Sequence, residues 1–531
     1  MDRNEGDLNP SRRFNALGGK ERPSQAVLVL GFLLVCGFNI VHHAMWRDEM
    51  QPWLFARDSA SIPELLRNMH YETNPRLWYL ILFGVSRFTR DPVAMQIANF
   101  VIIGAAIIVF VRRCPLPLCL KALTVFGFFF VYEWGTISRD YSLGVLSCFM
   151  FCAWFPKRGK GYLPLAMMLF LAMQSNVCAA TIAVALAALL VFEAMTDAEV
   201  RARISHRKVD AASSALLLVV GAALVLWSVT QPPDVDPSTR LLTGGVTVGN
   251  RLMNAFSALS DGFLPLLERS QDNELSGEPL LRLIAGIVLF PLTLLFFRRT
   301  RLIYWTYLTG AVLLLLFACV KMDMALRHEG HFFLWFIICI WLACLPTESD
   351  ESNGIRAFNL SSYQRSFLSF ILIVQLSDAV ISSVKGARIP FSASREAALY
   401  IEQNHLTGVP IVGYPDYSAM PVSGYLDEKI YYLDSERWGT FIIEDNKRHP
   451  DWTGLQVYHA VLGFAAQGHP DFLVLLRKPL LTYLKGKYYE LDRILNLRKT
   501  ASFYPADSGE TYYLYRYTAP VGANASDHPQ H

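Results

Sequence analysis

Charge is scarce in this sequence. Asp, Glu, Lys and Arg make up 18% of its 531 residues, against 53% hydrophobic residues and a mean hydropathy of +0.29. Soluble globular domains carry about 25% charged residues, so that class is excluded. Cysteine is sparse where an oxidising compartment would use it. All nine cysteines lie in apolar stretches or in the short segment holding Cys114 and Cys119, and none falls in the polar regions 46–92, 231–278 or 385–531. If those regions face an oxidising compartment, they are built without disulfides. No Cys-x-x-Cys pair or His/Cys cluster marks a structural metal. The C-terminal region lacks the glycine-rich signatures of nucleotide phosphate binding, and no nucleic-acid partner is expected. No internal repeat supports an inverted-repeat transporter.

What the chain has instead is long apolar runs. Stretches near 26–45, 93–111, 117–134, 141–155, 161–175, 177–195, 211–230, 280–297, 302–320, 331–345 and 366–384 approach or reach the about 20 residues needed to cross a bilayer. The reading is a multi-pass α-helical membrane protein with about eleven transmembrane helices. Basic residues then fix its orientation. Arg112-Arg113, Lys157-Arg158-Lys160, the run from Arg201 to Lys208, and Arg298-Arg299-Arg301 all become cytoplasmic if the short apolar stretch 75–88 lies flat at the interface instead of spanning. Residues 1–25 are then a cytoplasmic tail and 26–384 the membrane module. Within it, 46–92 is a large first external loop and 231–278 a second, with another interfacial helix over 250–267. The acidic cytoplasmic loop near Glu348, Asp350 and Glu351 weighs little, because orientation follows Lys and Arg.

From about residue 385 the composition becomes that of a soluble domain. Residues 394–404 read as a helix capped by Ser394, followed by strands at 410–414, 429–433, 441–444 and 472–476, with a helix over 455–467. The alternation predicts a small α/β domain over 385–531. Its tyrosines Tyr414, Tyr417, Tyr425, Tyr431 and Tyr432 suit sugar stacking, but core and interface packing is the stronger reading for most of them.

Four polar segments carry candidate chemistry. Trp46-Arg47-Asp48-Glu49 follows the first span directly. A carboxylate there suits a general base that takes a proton from an acceptor hydroxyl; the structural alternative is a solvated helix end. The segment from His70 to Tyr79 adds Glu72, Asn74, Pro75 and Arg76 to the same loop, with Trp78 and Tyr79 as interfacial anchors. The turn from Glu133 to Leu143 offers Arg139, whose forked donors suit a phosphate, or a surface ion pair with Asp140 or Glu133. The turn from Lys321 to His331 offers Arg327 and His328 for a leaving phosphate, or a solvated loop. Ionisable residues are few at mid-span. They collect at one face from four remote loops, which suits an interfacial enzyme acting on a lipid.

Asp48-Glu49 after the first span, then Glu72-Thr-Asn-Pro-Arg-Leu-Trp-Tyr, then Ser138-Arg139-Asp140-Tyr141 resemble the GT-C glycosyltransferases. The nearest group contains the protein O-mannosyltransferases and lipid A aminoarabinose transferases. The resemblance covers the membrane module, most clearly 26–200. It implies a sugar donor carried on a polyprenyl phosphate, with Asp48 as base, Glu49 beside it and Glu72 at a further acidic position. Arg139 and Arg327, with His328, are implied for the lipid phosphate. Arg47, Asn74, Arg76 and Tyr141, from the same motifs, join them as candidate substrate- or phosphate-binding positions. The chain departs from the pattern where Asn74-Pro75 replaces the family's Pro-Pro and where Arg76 replaces a small or apolar residue. Its tail resembles the C-terminal domains of bacterial relatives, which implies the bacterial inner membrane with that domain extracytoplasmic.

The expected reaction is transfer of the sugar to an acceptor hydroxyl on a lipid, polysaccharide or protein, with inversion by single displacement. No cofactor is firmly implied, and a divalent metal bridging carboxylate and phosphate is a possible addition without an evident ligand set. The alternatives are a lipid-linked sugar transporter or flippase, which predicts charge deep in the spans, and a non-catalytic membrane scaffold.

Overall fold

The computed structural model describes residues 10–236, 247–265, 278–321, 324–345, 360–449, 452–480 and 497–519. The acidic loop at Glu348, Asp350 and Glu351, and the end of the expected second interfacial helix, lie outside the described residues. Among those described, seven helices are long and apolar enough to cross a membrane: Arg22–His42 (the apolar part of α1, Pro10–His42), α5 (Val93–Arg113), α9 (Val177–Thr196), α11 (Lys208–Val229), Pro279–Phe296 within α13 (Glu278–Phe296), α14 (Arg301–Val320) and α16 (Ser362–Arg388). Large apolar side chains of α1 and α11 point outward, among them Leu34, Val41, Leu216 and Leu226. An exposed belt of that kind is stable only against lipid.

Three of the expected spans are shorter or broken. The stretch 117–134 forms α6 (Leu118–Val125) and then a single π-helical turn, Phe129–Glu133. The helix stops where Gly127 meets α16: a Cβ there would stand 3.0 Å from the Thr124 carbonyl oxygen and 3.3 Å from Gln375 Cβ. Helices α7 (Tyr141–Trp154) and α8 (Leu163–Met173) have 14 and 11 residues. Helix α15 (Leu326–Ala343) is a central pillar, buried from Glu329 through Ala343. It fits because Gly310 on α14 leaves room for the Trp335 ring, whose Nε1–H donates to the Tyr307 carbonyl at 3.0 Å.

The direction of these helices sorts charge. Helices α5, α7 and α9 start near the first loop and end at Arg112-Arg113, Lys157-Arg158 and Glu193, where Arg158 pairs with Glu193. Helix α14 runs the other way, from Arg301 to Lys321, whose ammonium lies 3.4 Å from His328. Its 20 residues separate those ends by about 30 Å. The basic clusters thus gather at the end opposite Asp48.

The first loop folds as α2 (Arg47–Asp58), α3 (Ile62–Asn68) and α4 (Leu77–Ser86). With 10 residues, α4 is about 15 Å long, too short to span, as the charge argument requires. Helix α10 (Ala198–His206) sits between α9 and α11, and the second loop contributes α12 (Val248–Phe263), which packs against α13, α14 and α15. Of its expected apolar face, Leu259 and Phe263 are buried while Met253 is exposed.

The C-terminal domain is a six-stranded mixed sheet with helices α17 (Ser394–Gln403), α18 (Asp416–Leu426) and α19 (Gly454–Ala466). Its strands are β1 (Ile411–Tyr414), β2 (Ile430–Tyr432), β3 (Arg437–Gly439), β4 (Asp471–Leu476), β5 (Leu497–Phe503) and β6 (Tyr512–Thr518), in the order β3-β2-β1-β4-β6-β5. Strand β1 lies parallel to β2 and β4, with Val412 opposite Tyr431 and Val474; the outer pairs are antiparallel. Three expectations need correction. Residues 441–444 are not a strand, because Ile442 is turned to Gln51 of α2 by two hydrogen bonds. Ser394 does not cap its helix: Ala393 is the cap position, and the Ser394 hydroxyl donates to the Met45 carbonyl. Helix α18 and strands β3, β5 and β6 have no counterpart in the sequence reading. One face of the sheet shares a core with the first loop, where Ile411, Leu473 and Leu514 join Trp53, Phe55 and Trp78. The other packs on α19 through Val412, Val474, Val457 and Val461.

Candidate active site

Helix α2 starts one short corner after α1, and Asp48 and Glu49 occupy its first turn. Carboxylates are favoured there, at the positive end of the helix dipole. Neighbouring helical residues point about 100° apart, so the pair separates. Glu49 is fully buried. Its Oε1 accepts the Ser138 N–H at 2.6 Å, and its Oε2 lies 2.6 Å from His43 Nε2. Asp48 turns the other way, into a cavity of about 460 Å³.

All four sequence segments meet at that cavity, through Asp48, Glu72, Arg139 and Arg327. Arg327 Nη2 donates to Asp48 Oδ2 at 2.5 Å. Arg139 donates to the Asp48 carbonyl oxygen. Arg47 Nε lies 3.7 Å from Asp48 Oδ1. The Trp46 ring stacks beneath Arg47 and Arg327, 5.3 and 5.5 Å from ring centre to guanidinium. Both Arg139 and Arg327 keep a buried Nε–H with no protein partner. Burial works to raise the Asp48 carboxyl, but Arg327, Arg139, Arg47 and Lys321 together outweigh it and hold it below its ordinary value.

The opposite wall is acidic. Glu72 accepts from the Tyr79 hydroxyl at 3.0 Å, and Gln51 Nε2 stands 3.5 Å from its other oxygen. Glu444 faces the same cavity, and burial followed by the nearby Glu72 raises its carboxyl. Gln51 joins the two sides, because its amide also pairs with the Ile442 backbone at 2.9 and 3.0 Å. Arg448 is held by Asp416 at 2.6 and 2.7 Å and by Asp236 at 3.0 Å. Tyr417 completes the wall, its ring 5.0 Å from the Arg47 guanidinium and 5.8 Å from that of Arg448.

Several sequence candidates stand elsewhere. Tyr141, His328 and Asn74 line a second cavity of about 220 Å³, whose walls include Val177, Val229, Phe317 and Val320. There the Tyr141 hydroxyl and His328 Nε2 lie 3.1 Å apart. Glu72 lines the first cavity and the next two residues, Thr73 and Asn74, line the second, so the two spaces adjoin. Glu49 and Arg76 line neither. Arg76 donates to the carbonyls of Glu72 and Asn74 and stacks on Trp227, which braces the loop. Sequence reasoning missed Gln51, Glu444 and Arg448. The charged run from Glu444 to His449 was the available signal, and it was hidden by the strand expected at 441–444. Of the five tyrosines, Tyr414 and Tyr432 are buried in the domain, as the packing reading has it, and Tyr417 is in the cavity.

No family model matches this chain, and no curated protein matches it. Among solved structures it is similar to ArnT from Cupriavidus metallidurans bound to undecaprenyl phosphate, at 12% identity and a TM-score of 0.49, covering 92% of this chain and 97% of the other. It is likewise similar to the apo state of that protein, at 14% identity and a TM-score of 0.48, covering 96% of this chain and all of the other.

Proposed function

We propose that this protein is a membrane glycosyltransferase that moves a sugar from a polyprenyl-phosphate carrier to an acceptor hydroxyl on the extracytoplasmic face. The observation that carries the reading is the meeting of Asp48, Arg139 and Arg327 in one cavity, at the end of the helices opposite the basic clusters. The positive-inside rule makes that end extracytoplasmic. The adjoining cavity, largely apolar-walled and also lined by Lys321 and His328, suits the first isoprene units of a carrier.

The chemistry follows from the charges. In the resting site Asp48 is bonded to Arg327 and is a weak base. A carrier phosphate brings its own negative charge to Arg327 and Arg139, whose unpartnered Nε–H groups add donors. With Arg327 drawn to the phosphate, Asp48 is released and its basicity rises. The acceptor hydroxyl attacks the anomeric carbon and Asp48 takes its proton. The carbon–oxygen bond to phosphate breaks, and the carrier leaves as a phosphate monoester whose added charge the guanidiniums stabilise. Single displacement inverts the anomeric centre.

The cationic end does not suit a resident divalent ion. Its one carboxylate is bonded to an arginine, and among the described residues no three His, Cys, Asp or Glu side chains gather as a metal site. The test is Asp48→Asn in membranes supplied with a labelled polyprenyl-phosphate sugar. Near-complete loss of transfer at a normal protein level is expected. Retained transfer, or none by the wild type with any such donor, refutes the assignment. Mass spectrometry of lipids and surface glycans from a deletion strain identifies the sugar and acceptor, and an unchanged glycan profile there favours a scaffold.

A further inference from the structure

The corner between α1 and α2 sets where Asp48 stands, and its backbone polar groups need partners because Met45 is buried. Among the described residues, every side-chain partner of the Met45 and Arg47 backbones comes from the C-terminal domain. The Met45 N–H donates to the Tyr425 hydroxyl at 2.8 Å. The Ser394 hydroxyl donates to the Met45 carbonyl at 2.9 Å. The Arg47 N–H, at the first turn of α2, donates to Glu510 Oε1 at 3.3 Å, and Arg47 Nε stands 3.9 Å from the same oxygen. Glu510 is fixed in turn: Ser392 donates to its other oxygen at 2.9 Å, and its carbonyl accepts the Ala393 N–H at 3.1 Å. Phe391 packs its ring on His43 and Trp46 at 5.1 and 5.3 Å.

Glu510 spends burial on this place. It is 1% exposed, and burial pushes its carboxyl up to about 7 against the pull of Ser392 and Arg47. A buried acid is costly unless its bonds do something. A plain domain contact needs no carboxylate at the start of the helix that bears Asp48, one residue before it.

We infer that Glu510, with Tyr425 and Ser394, is a positioning residue: the C-terminal domain holds the first turn of α2 so that Asp48 meets Arg327 and Arg139. The inference rests on the transferase reading and assigns the domain a place in the catalytic centre beyond its cavity wall. Glu510 itself touches no reacting atom.

The test uses the full-length protein in membranes, with kcat, donor KM and acceptor KM measured for Glu510→Ala, Glu510→Gln, Tyr425→Phe and the exposed control Glu402→Gln. A misplacement on the ångström scale costs about 100-fold in rate. Glu510→Ala is therefore expected to lower kcat about 10- to 100-fold while both KM values move less than threefold. Glu510→Gln, which keeps an acceptor for the Arg47 N–H, recovers part of the loss, and Tyr425→Phe lowers kcat less. Glu402→Gln behaves as wild type. In an Asp48→Asn background, Glu510→Ala adds no further loss. Wild-type kcat in folded Glu510→Ala overturns the inference and leaves the transferase reading standing. Retained transfer in Asp48→Asn overturns the transferase reading instead. Should Glu510→Ala fail to accumulate, undiminished kcat in both Glu510→Gln and Tyr425→Phe overturns the inference.

Discussion

Arg327 and Asp48 meet at 2.5 Å across 279 residues of chain. In the proposed reaction the carboxylate has a positive neighbour at rest and the guanidinium turns to a phosphate in action. Its consequences for pH are directional. Asp48 accepts a proton only as the anion, and its arginine neighbours hold its carboxyl below the ordinary range. Its anionic form therefore survives to a lower pH than in a free aspartate.

Removing Arg327 takes away one of those cations, so the Asp48 carboxyl rises and protonates at higher pH. For Arg327→Ala, transfer is expected to fall about 100- to 1,000-fold, the usual cost of losing a preorganised donor to developing charge. The acidic limb of kcat/KM is expected to shift to higher pH. A pH–rate profile of the residual activity measures both. An acidic limb left in place would separate Asp48 from the titration.

Glu49 has the opposite assignment. Its oxygens hold Ser138 N–H and His43, and Ser138 immediately precedes Arg139. Glu49→Ala leaves buried partners unmet, at about 1–3 kcal/mol for each group. A lower melting temperature in detergent is expected, with Glu49→Gln in between because it still accepts one bond. A Glu49→Ala protein as heat-stable as wild type would contradict the clamp.

These residues also show how far the sequence reaches. Asp48 and Glu49 look equivalent as adjacent acids after a span; only the 100° turn between them and the position of Ser138 split the proposed base from the brace. Arg139 and Arg327 were legible because short turns between apolar runs concentrate the few charges the chain has. Gln51, Glu444 and Arg448 were not, since nothing in α2 signals that residues nearly four hundred positions later will cover it. The spans of α5, α9 and α14 were plain from length and hydropathy. The break at Gly127 was not, because it depends on the approach of Gln375 from α16.

The pillar helix offers a stability test away from the chemistry. A Cβ at Gly310 would fall inside van der Waals contact with the Trp335 ring, which is wholly buried and hydrogen-bonded to Tyr307. Gly310→Ala gains helix propensity but must displace that ring, and overpacking of this kind costs about 1–3 kcal/mol. Thermal unfolding in detergent should show a lower transition. An equal or higher one would mean that the ring has free space to move into.

The second cavity separates binding from chemistry. Val177 lines it, half-buried, together with Phe317, Val320 and Lys321. A tryptophan there fills much of the 220 Å³ without touching Asp48, Arg139 or Arg327. If the carrier's first isoprene units occupy this space, Val177→Trp raises donor KM at least about tenfold, since excluding even two methylenes from an apolar site costs over 1.4 kcal/mol. Acceptor KM and the acidic limb of the pH profile stay where they are, because neither depends on this wall. Kinetics with donors of shortened isoprenoid tail sharpen the result: the variant's penalty should shrink as the tail is truncated. A penalty independent of tail length would place the lipid elsewhere and leave this cavity to the sugar or the acceptor.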